Sequence, residues 1–349
     1  ETFSIGTNED ERYNEFQYSR KTAKLLGART HERLIGRSHF IEFLESGTYA
    51  HHADDPNADY VSVMVYFLSQ LIRESGVIVA QVGEGSDEIF AGYGPYRLAM
   101  NLHERVWRRL EGFPTFLRAL PFQATRPFTS PRHDFAKEYL RRLARGEEPF
   151  WGLAIGFTPL HKTRLLTKEF SRALSPGHEY QIVDRYYEKV RQTDSLADFL
   201  QEMTYLECKN RLAELLLMRV DKMSMAHSIE TRVPFLDHRL VELMLHAPAS
   251  LKLKNNITKY ILKQAVRGII PDEIIDRKKQ GFGAPVEEWL AKKNESEPFF
   301  QMIFRSRLRE LGIIDYDYVS DLFAAHQKGL ANNGFRIWTL VTLSRWYDY

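Results

Sequence analysis

The chain has a single cysteine, Cys208, among 349 residues. One thiol cannot form an intrachain disulfide, so nothing points to an oxidising compartment. Cys208 falls in a helical pattern, which suits a small packed thiol better than a nucleophile. Long hydrophobic runs are also missing. The longest, such as Val77–Val82, are strand-sized, whereas a bilayer-spanning helix needs roughly 20 apolar residues. An excess of one charge is missing too. The 48 basic and 46 acidic residues leave a net +2, which gives no case for a nucleic-acid or membrane partner. No repeat or low-complexity segment occurs. What is there is an ordinary globular composition, 44% apolar and 27% charged, in a chain long enough for two packed parts.

Residues 1–97 alternate between strand and helix patterns. Thr2–Gly6, Thr30–Ile35 and Val77–Val82 read as strands. Glu11–Leu26, His39–His51 and Tyr60–Ser75 read as helices between them. The β-branched run Val77–Val82 suits a central parallel strand buried on both faces. Such units imply a doubly wound α/β sheet with ligands at the carboxyl ends of its strands. From residue 98 to 349 the pattern is mainly helical. Candidates are Arg97–Leu110, Asp134–Arg145, Lys162–Leu166, Tyr180–Gln192, Leu196–Met218, His238–Leu245, Lys259–Val266, Pro285–Lys292, Tyr316–Gln327 and Phe335–Trp346. Pro121–Arg132 and Ser175–His178 read as loops. This gives two parts, 1–97 binding nucleotide and 98–349 completing the site. The chain opens on Glu1 and enters a strand at once, so the expectation is a C-terminal piece of a longer protein.

Three segments carry chemistry. Val82-Gly83-Glu84-Gly85-Ser86-Asp87-Glu88-Ile89-Phe90-Ala91-Gly92-Tyr93 leaves the Val77–Val82 strand directly. Its glycines permit a tight turn, and Ser86 and Asp87 suit the cap of a helix whose N-terminus favours anions. Glu84, Asp87 and Glu88 crowd the place where a base or metal ligand would sit. An acidic turn of no function fits the spacing equally well. The second segment runs from Met218 to His238. Arg219, Lys222 and Met223 share a helical face, while Glu230, Arg232 and Asp237 fit a buried ion-pair network joining helices. The third, Arg277-Lys278-Lys279-Gln280-Gly281-Phe282-Gly283-Ala284-Pro285, sets lysines beside glycines ahead of a helix. That is a plausible phosphate contact, with a solvated basic loop as the default.

Together these segments resemble the synthetase domain of glutamine-dependent asparagine synthetases, a family that includes the β-lactam synthetases. The family pattern S-G-E-G-S-D-E-x-F-x-G-Y falls on Val82 to Tyr93 and is met from Gly83 onward. D-[KR]-M-S-M-A-H-x-x-E-x-R-V-P-F-L-D-H is met from Asp221 to His238, and R-x-K-x-G-F-x-x-P from Arg277 to Pro285. Asp54–Asp59 is similar to D-E-P-x-A-D, and the likeness runs the length of the chain. The implied fold is a Rossmann-like ATP-pyrophosphatase sheet, truncated at its N-terminus, with a large helical C-terminal portion.

The resemblance implies the following chemistry. A carboxylate, by default aspartate, attacks the α-phosphorus of ATP with Mg2+. Pyrophosphate leaves, and ammonia derived from glutamine displaces AMP. By matching position, Glu84 would be the base for the attacking nitrogen and Lys279 the cation facing departing pyrophosphate. Asp87 would hold Mg2+. Ile5, Gly6, Val82 and Gly83 would border the adenosine, and Arg219 and Tyr93 the acceptor. The implied partners are a small-molecule carboxylate and a glutaminase domain, upstream or separate. The implied setting is cytoplasmic, and a homodimer is compatible with it.

Several features depart from the pattern. The phosphate loop S-G-G-x-D-S of this class belongs ahead of residue 1 and has no substitute in the chain, so this polypeptide alone is expected not to cleave ATP. The glutaminase domain and its cysteine are likewise absent. Val82 stands in place of the usual Ser, and Leu216 where some asparagine synthetases have Asp, so another carboxylate is open as acceptor. A scaffold relative without activity is a second reading, and a lactam synthetase using an internal amine a third. The β-lactam synthetases carry Tyr where this chain has Glu84, which favours ammonia.

Overall fold

Phe3 and Ile5 alternate with small polar residues along Thr2–Thr7, a pattern that pleats into a strand (β1). The helix Phe16–Leu25 (α1) crosses over to Thr30–Ile35 (β2), and the two strands pair in parallel from Thr2↔Thr30 to Thr7↔Ile35. The computed structural model describes residues 1–110, 112–125, 127, 133–174, 180–194 and 197–349. α1 starts later than the pattern predicts. Asp10 caps a short 3-10 turn at Glu11–Tyr13, and Asn14 is extended because its side chain brackets the end of β1. Asn14 Oδ1 accepts from Thr7 N–H at 2.7 Å and Nδ2 donates to Thr7 O at 2.9 Å.

The single helix expected at His39–His51 is two, Arg37–Glu45 (α2) and Thr48–His52 (α3), because Gly47 turns left-handed between them. Val61–Glu74 (α4) buries Val61, Val63, Met64, Val65 and Ile72 and packs against both strands. Val77–Val82 is the larger correction. Only Val79–Gln81 forms a strand (β3), paired in parallel with Glu230–Arg232 (β4). The run is not buried on both faces: Ile78 is 58% exposed and Val79 38%. Its paired neighbour is the polar Glu-Thr-Arg stretch. Among the described residues the strands form two two-stranded parallel ladders. The class is therefore α/β with a small parallel sheet. No helix among the described residues is long and apolar enough to cross a membrane.

The chain divides into two compact units, each built from separated stretches. The first comprises residues 1–82, 215–234 and 263–349. Its aromatic core sets Phe40 edge-on to Trp289 at 5.0 Å and to Trp338 at 6.1 Å, with Phe299 against Trp338. Trp338 lies on the terminal helix Gly334–Asp348, which spans the predicted Phe335–Trp346. The second unit comprises 83–214 and 235–262. Tyr96, Trp151, Tyr187, Leu200, Met203 and Leu206 are buried together there. Asp198 and Gln201 form a capping box that starts the helix Phe199–Glu207, and Cys208–Leu217 continues with π winding. The expected start at Leu196 lies outside the described residues, as does the Ser175–His178 loop. Of the Pro121–Arg132 loop, residues 121–124 are helical, within Thr115–Ala124, while 126 and 128–132 lie outside the described residues.

The second unit also encloses Lys252, whose side chain is fully buried with no hydrogen-bond partner for Nζ. Desolvation pulls its ammonium down from 10.5 to about 8. The unfolded chain holds that proton more tightly, so stability falls as pH drops from 10.5 toward 8 and stays reduced below. The penalty at neutral pH is about 3 kcal/mol. Lys252→Met should raise the thermal midpoint at neutral pH by several degrees, with a smaller gain in alkali. A midpoint lowered at neutral pH would show that the ammonium is satisfied in the fold.

Candidate active site

The turn after β3 is built by its glycines. Gly85 has φ +87°, and any Cβ on it would overlap the Leu236 side chain. It starts the short helix Ser86–Ile89 (α5), so the cap is the Gly85 backbone rather than the Ser86 or Asp87 side chain. Asp87 sits in the first turn of α5, where a carboxylate is favoured. Lys259 reaches it: Nζ lies 2.9 Å from Asp87 Oδ1 and donates to Ser86 Oγ at 2.9 Å. Gly92 closes the arrangement. Its N–H donates to Asp87 O at 2.7 Å, and a Cβ there would overlap both the Asp87 and Lys259 side chains. Glu84 is half-buried one residue ahead of Gly85.

Glu88 points the other way, into the unit. It is 1% exposed and accepts from Tyr93 Oη at 2.7 Å and from Arg211 Nη1 at 3.3 Å. Burial pushes its carboxyl above the usual range, against the pull of Tyr93 and Arg211. Burial likewise raises the Tyr93 hydroxyl. Tyr93 is thus fixed by a buried acid, with the Arg211 guanidinium 4.6 Å from its ring centre. The helix Gly94–Leu102 (α6) follows directly.

The other sequence-predicted residues lie in the first unit. Ile5 is buried on β1, and Gly6 leaves room for the Asn14 side chain that brackets the strand end. A cavity of about 420 Å³ runs beside β1, lined by Thr2, Phe3, Ser4 and Ile5 with Phe16 and Arg277 among its walls. Val82 N–H donates to Arg232 O at 2.9 Å. Arg219 is buried and pairs with Asp59, which also accepts from Val61 N–H at the start of α4. Lys222 pairs with Asp54 at 2.6 Å, and Asn57 Nδ2 donates to Leu215 O at 3.2 Å. The Asp54–Asp59 segment and the second motif are therefore one interlocked structure. Lys279 is exposed on a turn pinned at both ends. Arg277 pairs with Glu15 and lies over the Tyr18 ring, and Gln280 Nε2 donates to Arg12 O.

Glu84, Asp87, Tyr93 and Gly83 thus belong to the second unit, and Ile5, Gly6, Val82, Arg219 and Lys279 to the first. The ion-pair network expected for Glu230, Arg232 and Asp237 is not buried. Glu230 pairs with Arg232 on exposed β4, and Asp237 caps the helix His238–His246 while pairing with Arg239. These charges are local because each partner is two residues away. Sequence reading missed Lys259 and Arg211. The one signal for Lys259 is its place after Asn255-Asn256, in a turn where three non-glycine residues take positive φ. Arg211 sits in the π-wound stretch and had no local sign.

The family model described as asparagine synthase matches residues 1–348. Asparagine synthetase 1 (glutamine-hydrolyzing) of Bacillus subtilis (strain 168) is 30% identical over 347 residues, covering 99% of this chain and 52% of its own length. A putative asparagine synthetase (glutamine-hydrolyzing) of Mycobacterium tuberculosis (strain ATCC 25618 / H37Rv) is 27% identical over 348 residues, covering 99% and 50%. The amidase chyE of Penicillium rubens is 26% identical over 344 residues, covering 90% and 48%. The chain spans about half the length of the curated relatives it matches. The chain belongs to the asparagine synthase family.

Proposed function

We infer that this chain is the synthetase part of an ATP-dependent carboxylate-amidating ligase that makes an acyl-adenylate and then an amide, releasing AMP and pyrophosphate. The Gly83–Tyr93 turn carries the reading. It holds Glu84 beside a strand end, with Asp87 matched to a lysine, in a chain matched to the family along 1–348. The strand pairs would belong to one Rossmann-like sheet of the ATP-pyrophosphatase kind, with a further strand and phosphate loop supplied by residues outside 1–349. Division into a nucleotide-binding part, 1–97, and a helical part, 98–349, goes with that reading.

Each residue has a task its chemistry suits. Glu84 takes the proton from the attacking nitrogen. Lys279, an exposed cation on a pinned turn, meets the charge that develops on departing pyrophosphate. Ile5, Gly6, Val82 and Gly83 border the adenosine, in keeping with the cavity beside β1. Tyr93 and Arg219 line the acceptor side, and the Asp59 pair limits how much of Arg219 is left for a carboxylate. For Mg2+, no cluster of three His, Cys, Asp or Glu side chains gathers among the described residues. The ion commonly uses one or two carboxylates plus substrate phosphates and water, so Asp87 fits it as a lone protein ligand. When bound it would neutralise phosphate charge. Ammonia would come from a glutaminase part, and the working compartment would be the cytoplasm.

Aspartate is the default acceptor. Val82, Leu216 and the Arg219–Asp59 pair favour testing other carboxylates. The assay is ATP–pyrophosphate exchange by the full-length protein over a panel of carboxylates. Exchange with one of them is expected, and none with any would overturn the reading. Lys279→Met should lower exchange by about 100-fold. Glu84→Gln should leave exchange within about threefold of wild type yet abolish amide formation, since adenylation needs no base at nitrogen. Loss of exchange in Glu84→Gln would remove that role. Asp87→Asn should raise the Mg2+ concentration for half-maximal exchange by about tenfold, and an unchanged requirement would place the ion elsewhere.

A further inference from the structure

The small net charge of the whole chain hides a local imbalance in the second unit. Residues 97–146 carry eleven Lys and Arg against four Asp and Glu. Two of those acids are turned inward. Asp134 is buried against His161 and Arg164, and Glu138 against Arg141. Arg97, Arg105, Arg108 and Arg109 are exposed. The helix Thr115–Ala124 follows them. It packs on the helix Asp134–Arg145 yet buries none of its own residues. Phe116 is 69% exposed and Leu120 55%, and Leu117 and Phe113 are exposed beside them. Leu120 lies four residues from Phe116 and three from Leu117, so the three share one face. The only charged residue of this helix, Arg118, is half-buried beside Gly146, which leaves that face apolar.

We propose that this helix and the arginines ahead of it form a membrane-surface site that seats the protein on anionic lipid. The apolar face enters the boundary between headgroups and acyl chains, and the guanidiniums meet lipid phosphates. The helix lies on the membrane and does not cross it. Charge decides against a second copy of the chain, because a two-fold contact through this face would set arginines against arginines. Shape and chemistry decide against the other acidic partners. Leu117 and Leu120 have no ring on which a nucleic-acid base could stack. An acidic protein would need a fitted socket for Phe116, which stands out from its helix, whereas a lipid surface takes any protruding apolar shape. The inference is independent of the reaction proposed above.

The test is co-sedimentation of the full-length protein with vesicles of phosphatidylcholine alone and of phosphatidylcholine with about one third phosphatidylglycerol. Binding should appear on the anionic vesicles, be at least about tenfold weaker on the neutral ones, and fall as salt is raised. Phe116→Ser with Leu120→Ser should weaken it at least about tenfold. Arg108→Gln with Arg109→Gln should weaken it about 30-fold. Both double variants should keep the wild-type thermal midpoint, since all four side chains are exposed. No binding to anionic vesicles overturns the site and leaves an acidic protein as the partner. Equal binding to the two kinds of vesicle, or binding unchanged in either double variant, overturns it as well. Release of the bound protein by RNA at matched phosphate concentration would mark a nucleic-acid site and overturn the lipid one.

Discussion

A carboxylate taken out of water has to find a cation, and that constraint organises both units of this protein. In the second unit Asp87 is met by Lys259 and Glu88 by Arg211. In the first, Asp59 is met by Arg219 and Glu15 by Arg277, and the exposed Asp54 pairs with Lys222 as well. Every one of these pairs ties a motif segment to a distant part of the chain. Arg219 and Asp59 are 160 residues apart, and Arg211 and Glu88 123. Local turns and caps shape each segment, but the pairs decide which segments share a place. The pairs differ in exposure, and so in weight. Arg219 and Glu88 are buried, so losing either partner would strand a charge. Lys222 and Asp54 are solvated and hold their segment weakly.

The same constraint marks where sequence reading stops. Helices with a clear apolar stripe and a clean terminus were legible. Asp134–Arg145 runs as predicted, and the terminal helix differs by one residue at its start and two at its end. β1 and β2 were legible as strands: β2 keeps the predicted Thr30–Ile35, and β1 runs one residue past Gly6. Val77–Val82 misled because β-branched residues report strand propensity, not which neighbours cover the strand. The neighbour that pairs with it is Glu230–Arg232, whose composition gives no strand signal. Gly47 was visible as a glycine, but its left-handed turn is a property of the fold. Among the candidate residues, the acidic turn and the basic loop stood out by composition. Their partners did not, because a lone lysine or arginine far along the chain looks like any solvated cation.

The buried pairs also separate two kinds of residue within one motif. Asp87 and Glu88 are adjacent in sequence and one helical step apart, so their side chains leave α5 in different directions. Asp87 meets a flexible lysine, a partner that another cation can displace. Glu88 meets a planar guanidinium clamped on an aromatic ring, a partner with little freedom to leave. The first arrangement leaves an acid able to exchange partners, and the second suits a foundation. The motif thus sets an acid with an exchangeable partner beside the acid that holds its turn in place. Substituting either would disturb the turn, but by different routes: loss at Asp87 leaves Lys259 without its carboxylate, whereas loss at Glu88 leaves Arg211 without one of its two carboxylates and Tyr93 without its acceptor.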